Sequence, residues 1–264
     1  MDWLSHIPAQ KVVLIALVLA RVSGLVVTAP AYGTAEVPAQ VRALLAASLT
    51  ALLLPGQWQV TPPLPGSLVH WLVLVGSELL VGMALGLGVG ILLAGADVAG
   101  QVIGQSSGLM AAELFDPTQN ESVPLFSRLL FLTTVAMFVL VGGHRLVMAA
   151  LLDTFRAMPP GSAVWNESLA ETFVTLAAQS LALGVRAAAP ALAALLLANL
   201  VLGLIGRTLP QLNIFLVGFG LNAMLALGVL ALSLGAAVWV FQDQVAPAIE
   251  TLASALGEPH GVGE

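Results

Sequence analysis

"RTLPQLNIFLVGF", residues 207–219, interrupts the most apolar part of the chain with a guanidinium, a proline and two amides. Pro210 has no amide hydrogen, so a carbonyl about one turn earlier loses its helical donor, and Leu209 is pushed away from helical angles. The chain bends there. On either side lie the apolar runs Phe173–Gly206 and Ile214–Val240, each long enough for a bilayer crossing, which takes about 20 residues of helix. Two long arms around a bent corner set the fold class: an all-α membrane protein of long, partly kinked helices and helical hairpins. In a dry setting the freed backbone groups need partners, and Arg207, Gln211 and Asn213 offer donors and acceptors. The competing reading is a solvated turn outside the membrane.

The composition supports the membrane. Of 264 residues 59% are hydrophobic and 8% charged, whereas a soluble domain carries about a quarter charged residues. The net charge of −6 is spread along the chain with no basic stripe, so nucleic-acid binding has no electrostatic footprint. The absence of cysteine removes disulfides, thiolate metal sites and cysteine nucleophiles. The start, with Lys11 offset by Asp2 and Arg21 breaking the apolar run, does not match a cleaved signal, and the segment is expected to be retained.

Further apolar segments are Val12–Ala29, Val41–Leu54, Leu68–Ala96 and Leu125–Val141. Residues 55–67 and 158–168 form proline-bearing connectors, and Asn166 or Ser168 is placed to cap a helix starting near Leu169. Arg186 and Pro190 leave the run 173–206 open as a kinked helix or a tight hairpin. Arg21, Arg128, Arg186, Glu78 and Asp97 fall within or beside apolar segments, where a central Arg costs about 2.5–3.5 kcal/mol on insertion scales. Such charges must face protein partners, water or each other. The expectation is a subunit buried among other helices, its charges neutralised by neighbouring chains.

Gly82, Gly86 and Gly90 recur at four-residue spacing, and Gly100, Gly104 and Gly108 repeat it, a pattern that bares backbone for close helix packing. Gln101 and Gln105, one turn apart, suit hydrogen bonds between packed helices. Residues 108–128, "GLMAAELFDPTQNESVPLFSR", carry large apolar shoulders (Met110, Leu114, Phe115) and a turn at Asp116-Pro117. The tip that follows, Thr118, Gln119, Asn120, Glu121 and Ser122, is polar. Such a segment either folds inward to fill a hole or makes an ordinary surface turn. A second polar corner is Gly143-His144-Arg145, with Asp153 and Arg156 following at helical spacing; Arg145 and Asp153, two turns apart, are expected to reach a shared polar seam.

Nothing here reads as an enzyme. "GQSSG", residues 104–108, matches the nucleophile pattern around Ser106, but that pattern has meaning only on a strand–turn–helix elbow, and no strand pattern precedes it. The four histidines lack metal-ligand spacing. No catalytic, cofactor or metal residue is assigned. From the residues alone a small-solute secondary transporter, with its intramembrane charges and interrupted helix, stays open beside a channel subunit, as does a serine protease of Ser106 or Ser107 with His144.

Residues 114–161, "LFDPTQNESVPLFSRLLFLTTVAMFVLVGGHRLVMAALLDTFRAMPPG", and 197–234, "LANLVLGLIGRTLPQLNIFLVGFGLNAMLALGVLALSL", resemble the two hallmark regions of the FliR family of flagellar export-gate proteins and its equivalents in injectisomes. The Asp-Pro turn, Gly143-His144 before an apolar helix, and Pro210-Gln211-x-Asn213 carry the resemblance together. It implies one membrane domain over 1–264: a FliP-like half (about 1–165) with a plug loop near 109–123, a FliQ-like helical hairpin half (about 166–250), and a flexible tail (251–264). It implies a non-enzymatic subunit without cofactor, in the bacterial inner membrane at the flagellar basal body. The partners implied are FliP-like and FliQ-like subunits, FlhB-like and FlhA-like subunits, unfolded exported proteins and membrane lipid, with no nucleic acid. The plug role falls on Met110 to Ser122.

Overall fold

The structure, a computed structural model, describes residues 8–30, 32, 37–107, 125–163, 168–208 and 214–257. All regular structure among them is helical: α1 (Ala9–Thr28), α2 (Ala39–Gln57), α3 (Leu68–Ser107), α4 (Leu125–Leu140), α5 (Gly143–Ala157), α6 (Ser168–Thr208) and α7 (Ile214–Gly257). Among the described residues, α1, α2, α3 and α6 are long and apolar enough to cross a bilayer, and α4 with α5 makes a fifth span if the interrupted pair counts as one. The chain is an all-α, multi-pass membrane protein.

Helix lengths differ from the apolar runs in informative ways. α3 has 40 residues, against a run ending at Ala96, because Asp97 and Gln101 are tolerated on its exposed side, where the amide donates to the carboxylate at 3.1 Å. The expected use of Gln101 between helices gives way to this bond within one helix, and Gln105 is exposed. α6 is continuous for 41 residues through Arg186 and Pro190, which settles the hairpin alternative against a break there. It begins at Ser168 with Glu171 in its first turn, where a carboxylate suits the positive end of the helix. α7 runs to Gly257, into the segment 251–264 read as a flexible tail.

Two compact units emerge, and neither is a sequential half. One comprises 1–92, 142–176 and 245–264, the other 93–141 and 177–244. In the first unit α1 packs against α2. Lys11 Nζ donates to the Trp58 carbonyl at the end of α2 and lies 5.2 Å from the centre of the Trp58 ring. A cation there answers the unsatisfied carbonyls and negative dipole of a helix C-terminus. A small core of Val13, Leu17 and Leu74 lies nearby, with Trp71 and Val75 packed on it. In the second unit the core gathers Ala99 and Ile103 of α3, Phe126 and Leu130 of α4, Ala188, Ala191 and Leu195 of α6, and Ala226 of α7. Half of these are alanines, so the helices approach closely.

Candidate functional site

The first unit is organised around a buried ion pair. Arg21 sits within α1 and Glu78 within α3, both fully buried. Arg21 Nε donates to Glu78 Oε2 at 2.6 Å. Nη1 donates to the Thr154 carbonyl at 3.0 Å and lies 3.4 Å from the Thr154 hydroxyl oxygen. Thr154 belongs to the last turn of α5, whose terminal carbonyls carry the negative end of the helix dipole. The guanidinium also stacks 4.4 Å from the centre of the Phe155 ring, a cation–π contact of the kind Arg favours. The second Glu78 oxygen accepts from the Gly161 amide at 2.8 Å, and Gly161 holds a left-handed φ of 91°. One Arg and one Glu therefore tie α1, α3, the end of α5 and the loop beyond it. Nη2 alone stays buried without a partner. This corrects the expectation for two of the charges: Arg21 and Glu78 neutralise each other inside the chain rather than through neighbouring subunits.

Backbone contact makes the pair possible. A Cβ on Gly82 would overlap the Arg21 carbonyl, one on Gly24 would overlap the Leu79 carbonyl, and one on Gly86 the Thr28 hydroxyl. Gly90 meets only the Pro30 ring at ordinary distance. Thr28 bridges the seam, donating to the Gly24 carbonyl at 2.8 Å with the Met83 carbonyl 3.3 Å away. Gly24, missing from the sequence ladder, had one available signal: it is the glycine one turn after Arg21.

The second unit uses the same device without charge. Gly184 of α6 and Gly95 of α3 meet backbone to backbone, Gly95 also lying against Ser180, and Gly100 lies against the backbone of Ser127 in α4. Ser127 Oγ donates to the Asp97 carbonyl at 3.1 Å. Between α6 and α7, Asn222 Nδ2 donates to Asn199 Oδ1 at 2.7 Å, while the side-chain Oδ1 of Asn222 stays buried and unpaired. Neither asparagine stood out in the sequence, since a lone Asn in a long apolar run has no spacing to mark it.

The other predicted residues are placed as follows. Gly104 is buried near the end of α3. Gly108, Met110, Leu114, Phe115, Asp116, Pro117, Thr118, Gln119, Asn120, Glu121 and Ser122 lie outside the described residues, as do Pro210, Gln211 and Asn213. Arg207 is exposed in the last turn of α6. Gly143 is buried at the start of α5, after Gly142 at φ 87°. His144 is partly buried with an unpartnered Nδ1, and Arg145 is exposed. The Asp153 carboxylate pairs with Arg156 at 2.9 Å on an exposed surface, and no bond joins Asp153 to Arg145 among the described residues. Ser106 lies within helix α3, so "GQSSG" is not a nucleophile elbow. No group of three or more potential metal ligands gathers among the described residues.

Seven helices among the described residues, crossings tight enough to demand glycine, and a charge pair sealed inside define a multi-pass helical membrane protein. The model of the bacterial export proteins, family 1, matches residues 12–248, and the chain belongs to that family. It is 31% identical to the flagellar biosynthetic protein FliR of Caulobacter vibrioides over 236 residues, 89% of this chain and 94% of that protein. It is 30% identical to FliR of Escherichia coli, over 81% of each. The secretion system apparatus protein SsaT of Salmonella typhimurium is 26% identical over 62% of this chain and 63% of that protein.

Proposed function

We propose that this chain is a non-enzymatic subunit of the flagellar type III export gate, helping to form and close the channel through which unfolded flagellar proteins cross the bacterial inner membrane. The observation that carries the reading is the reach of the family match, from the first turn of α1 to within α7, with relatives named for flagellar biosynthesis aligned over most of their own length. FliP-like and FliQ-like subunits are the direct neighbours in this reading, with FlhB-like and FlhA-like subunits beyond them, at the flagellar basal body. Residues 1–165 correspond to the FliP-like half and 166–250 to the FliQ-like half. Supporting the latter, α6 and α7 are long helices joined across 209–213 and held by the Asn199–Asn222 bond. The segment between α3 and α4 is the plug, supported by its apolar shoulders and polar tip.

Deleting the gene in its own host is expected to abolish filament formation and release of hook and filament proteins, and the plasmid-borne chain to restore both. Unimpaired motility with loss of virulence-factor secretion would assign the chain to an injectisome instead, the alternative favoured by the likeness to the secretion system apparatus protein SsaT. For the plug, removing Asp116 to Ser122 from the assembled gate is expected to let ions and small dyes through resting membranes. A membrane that stays tight would end the plug assignment.

A further inference from the structure

α6 has two unlike sides. Toward the core of the second unit it presents Ala188, Ala191 and Leu195, all fully buried. On the opposite face Arg186 stands in a stripe with Ala182, Ala189 and Ala193, followed by Leu197 and Leu200, at spacings of three and four that keep one helical face. Every member is exposed, Leu197 by 69% and Leu200 by 65%. Among the described residues Arg186 has no hydrogen bond or ion pair. It lies near the middle of a helix that qualifies as a membrane span.

Three environments compete for that guanidinium. Water does not suit the flanking stripe, which is alanine and leucine throughout. Lipid phosphate is out of reach with the helix centred on the bilayer: Arg186, near its middle, then stands about 15 Å from either edge of a hydrocarbon core roughly 30 Å thick, and an Arg side chain snorkels only from near the ends. The third is another protein helix. Alanines one turn to either side of the cation open a shallow notch where a second backbone can come close, and the leucines continue the contact. A guanidinium at that depth calls for a carboxylate, which it binds through two parallel N–H donors. Arg21 shows the same demand met within the chain by Glu78.

We propose that the Arg186 face of α6 is an interface for an apolar helix of a neighbouring subunit that carries one Asp or Glu opposite the guanidinium. This rests on the export-gate reading, and it adds the face, the anchoring residue and the chemistry of the partner.

The test uses the full chain co-expressed with the FliP-like and FliQ-like subunits of its own organism. Arg186→Glu is expected to lower the co-purified partner by roughly tenfold or more, Arg186→Ala by less and Arg186→Lys least, with each variant inserted in the membrane at the wild-type level. A photo-crosslinking residue at Ala189, with Arg186 intact, is expected to capture a FliP-like or FliQ-like helix containing an acid. Converting that acid to Arg should restore assembly to Arg186→Glu. Undiminished assembly of Arg186→Glu, or capture of lipid alone at Ala189, overturns the proposal. If Arg186→Glu exports normally while gene deletion stops export, the interface fails and the gate reading stands; if deletion leaves export intact, the gate reading itself fails.

Discussion

The two units of this chain handle the same problem, close packing of long apolar helices, by different chemistry. In the first, glycines on α1 and α3 bring the backbones together and a sealed Arg21–Glu78 pair fixes them, with α5 and its following loop drawn in. In the second, glycine, serine and alanine make the crossings, and the Asn199–Asn222 bond between α6 and α7 is neutral. In the first unit the buried charges Arg21 and Glu78 close off each other within the chain. The second leaves Arg186 outward-facing. The difference teaches that an intramembrane charge does not by itself mark a subunit contact; whether a carboxylate already stands opposite decides it.

The hardest way to break the comparison is to open the ion pair. Arg21→Ala strands a buried carboxylate, and losing one partner of a buried pair costs about 3–5 kcal/mol. The expected outcome is a chain nearly lost from membranes by immunoblot, with Glu78→Ala similar. Replacing both with apolar residues of similar volume, Arg21→Met with Glu78→Leu, removes the stranded charge and is expected to restore most of the chain. A double variant as poor as the singles would show that the Thr154 and Gly161 contacts, not the mutual charge, hold the unit.

Next in size is Gly82→Ala. Its Cβ has no space beside the Arg21 carbonyl, so α1 and α3 must separate, at about 1–3 kcal/mol for overpacking. Separation also stretches the Arg21–Glu78 bond one turn away. Gly184→Ala imposes the same clash on Gly95 in the second unit without an ion pair to stretch. Melting of the purified gate complex should therefore fall further for Gly82→Ala than for Gly184→Ala; the reverse order would mean the pair adds nothing to the crossing.

Asn222→Ala sharpens the other side of the comparison. Polar bonds between membrane helices average about 0.6 kcal/mol and reach about 1.7, and here the side-chain Oδ1 of Asn222 is already buried without a partner, so its removal also lifts a penalty. A small drop in complex melting is expected, smaller than for either glycine. A loss as large as Arg21→Ala would make the amide pair the equal of the ion pair.

These contrasts bear on what the sequence could reveal. Fold class followed from hydropathy and proline placement because the bilayer requires helices wherever backbone is dry, and the long runs leave no other choice. Arg21 and Glu78 were visible as misplaced charges, but their pairing was not: they are 57 residues apart, and which helices cross is a property of the assembled core. The glycine ladder 82–86–90 pointed to a packed face, while its counterpart Gly24, a single glycine in α1, carried no periodicity. The corner of 207–213 was conspicuous in sequence, yet of Arg207, Gln211 and Asn213 the described residues include only Arg207, exposed at the end of α6.

The smallest expected effect falls on the most salt-bridge-like feature of the surface. Asp153 and Arg156 pair at 2.9 Å one turn apart on α5, with side chains 56% and 78% exposed. Water screens such a pair and holding two long side chains costs entropy, so exposed helix pairs are worth about 0.3–0.5 kcal/mol. Asp153→Ala is expected to leave chain level and complex melting within experimental scatter, in isolation and in the gate alike. An effect confined to the assembled gate would mean that another subunit covers this surface and desolvates the pair, raising the cost of its loss. Charge near this corner would then do for a neighbour what Arg21 does for α5, and the contrast between sealed and outward-facing charges would extend to the first unit.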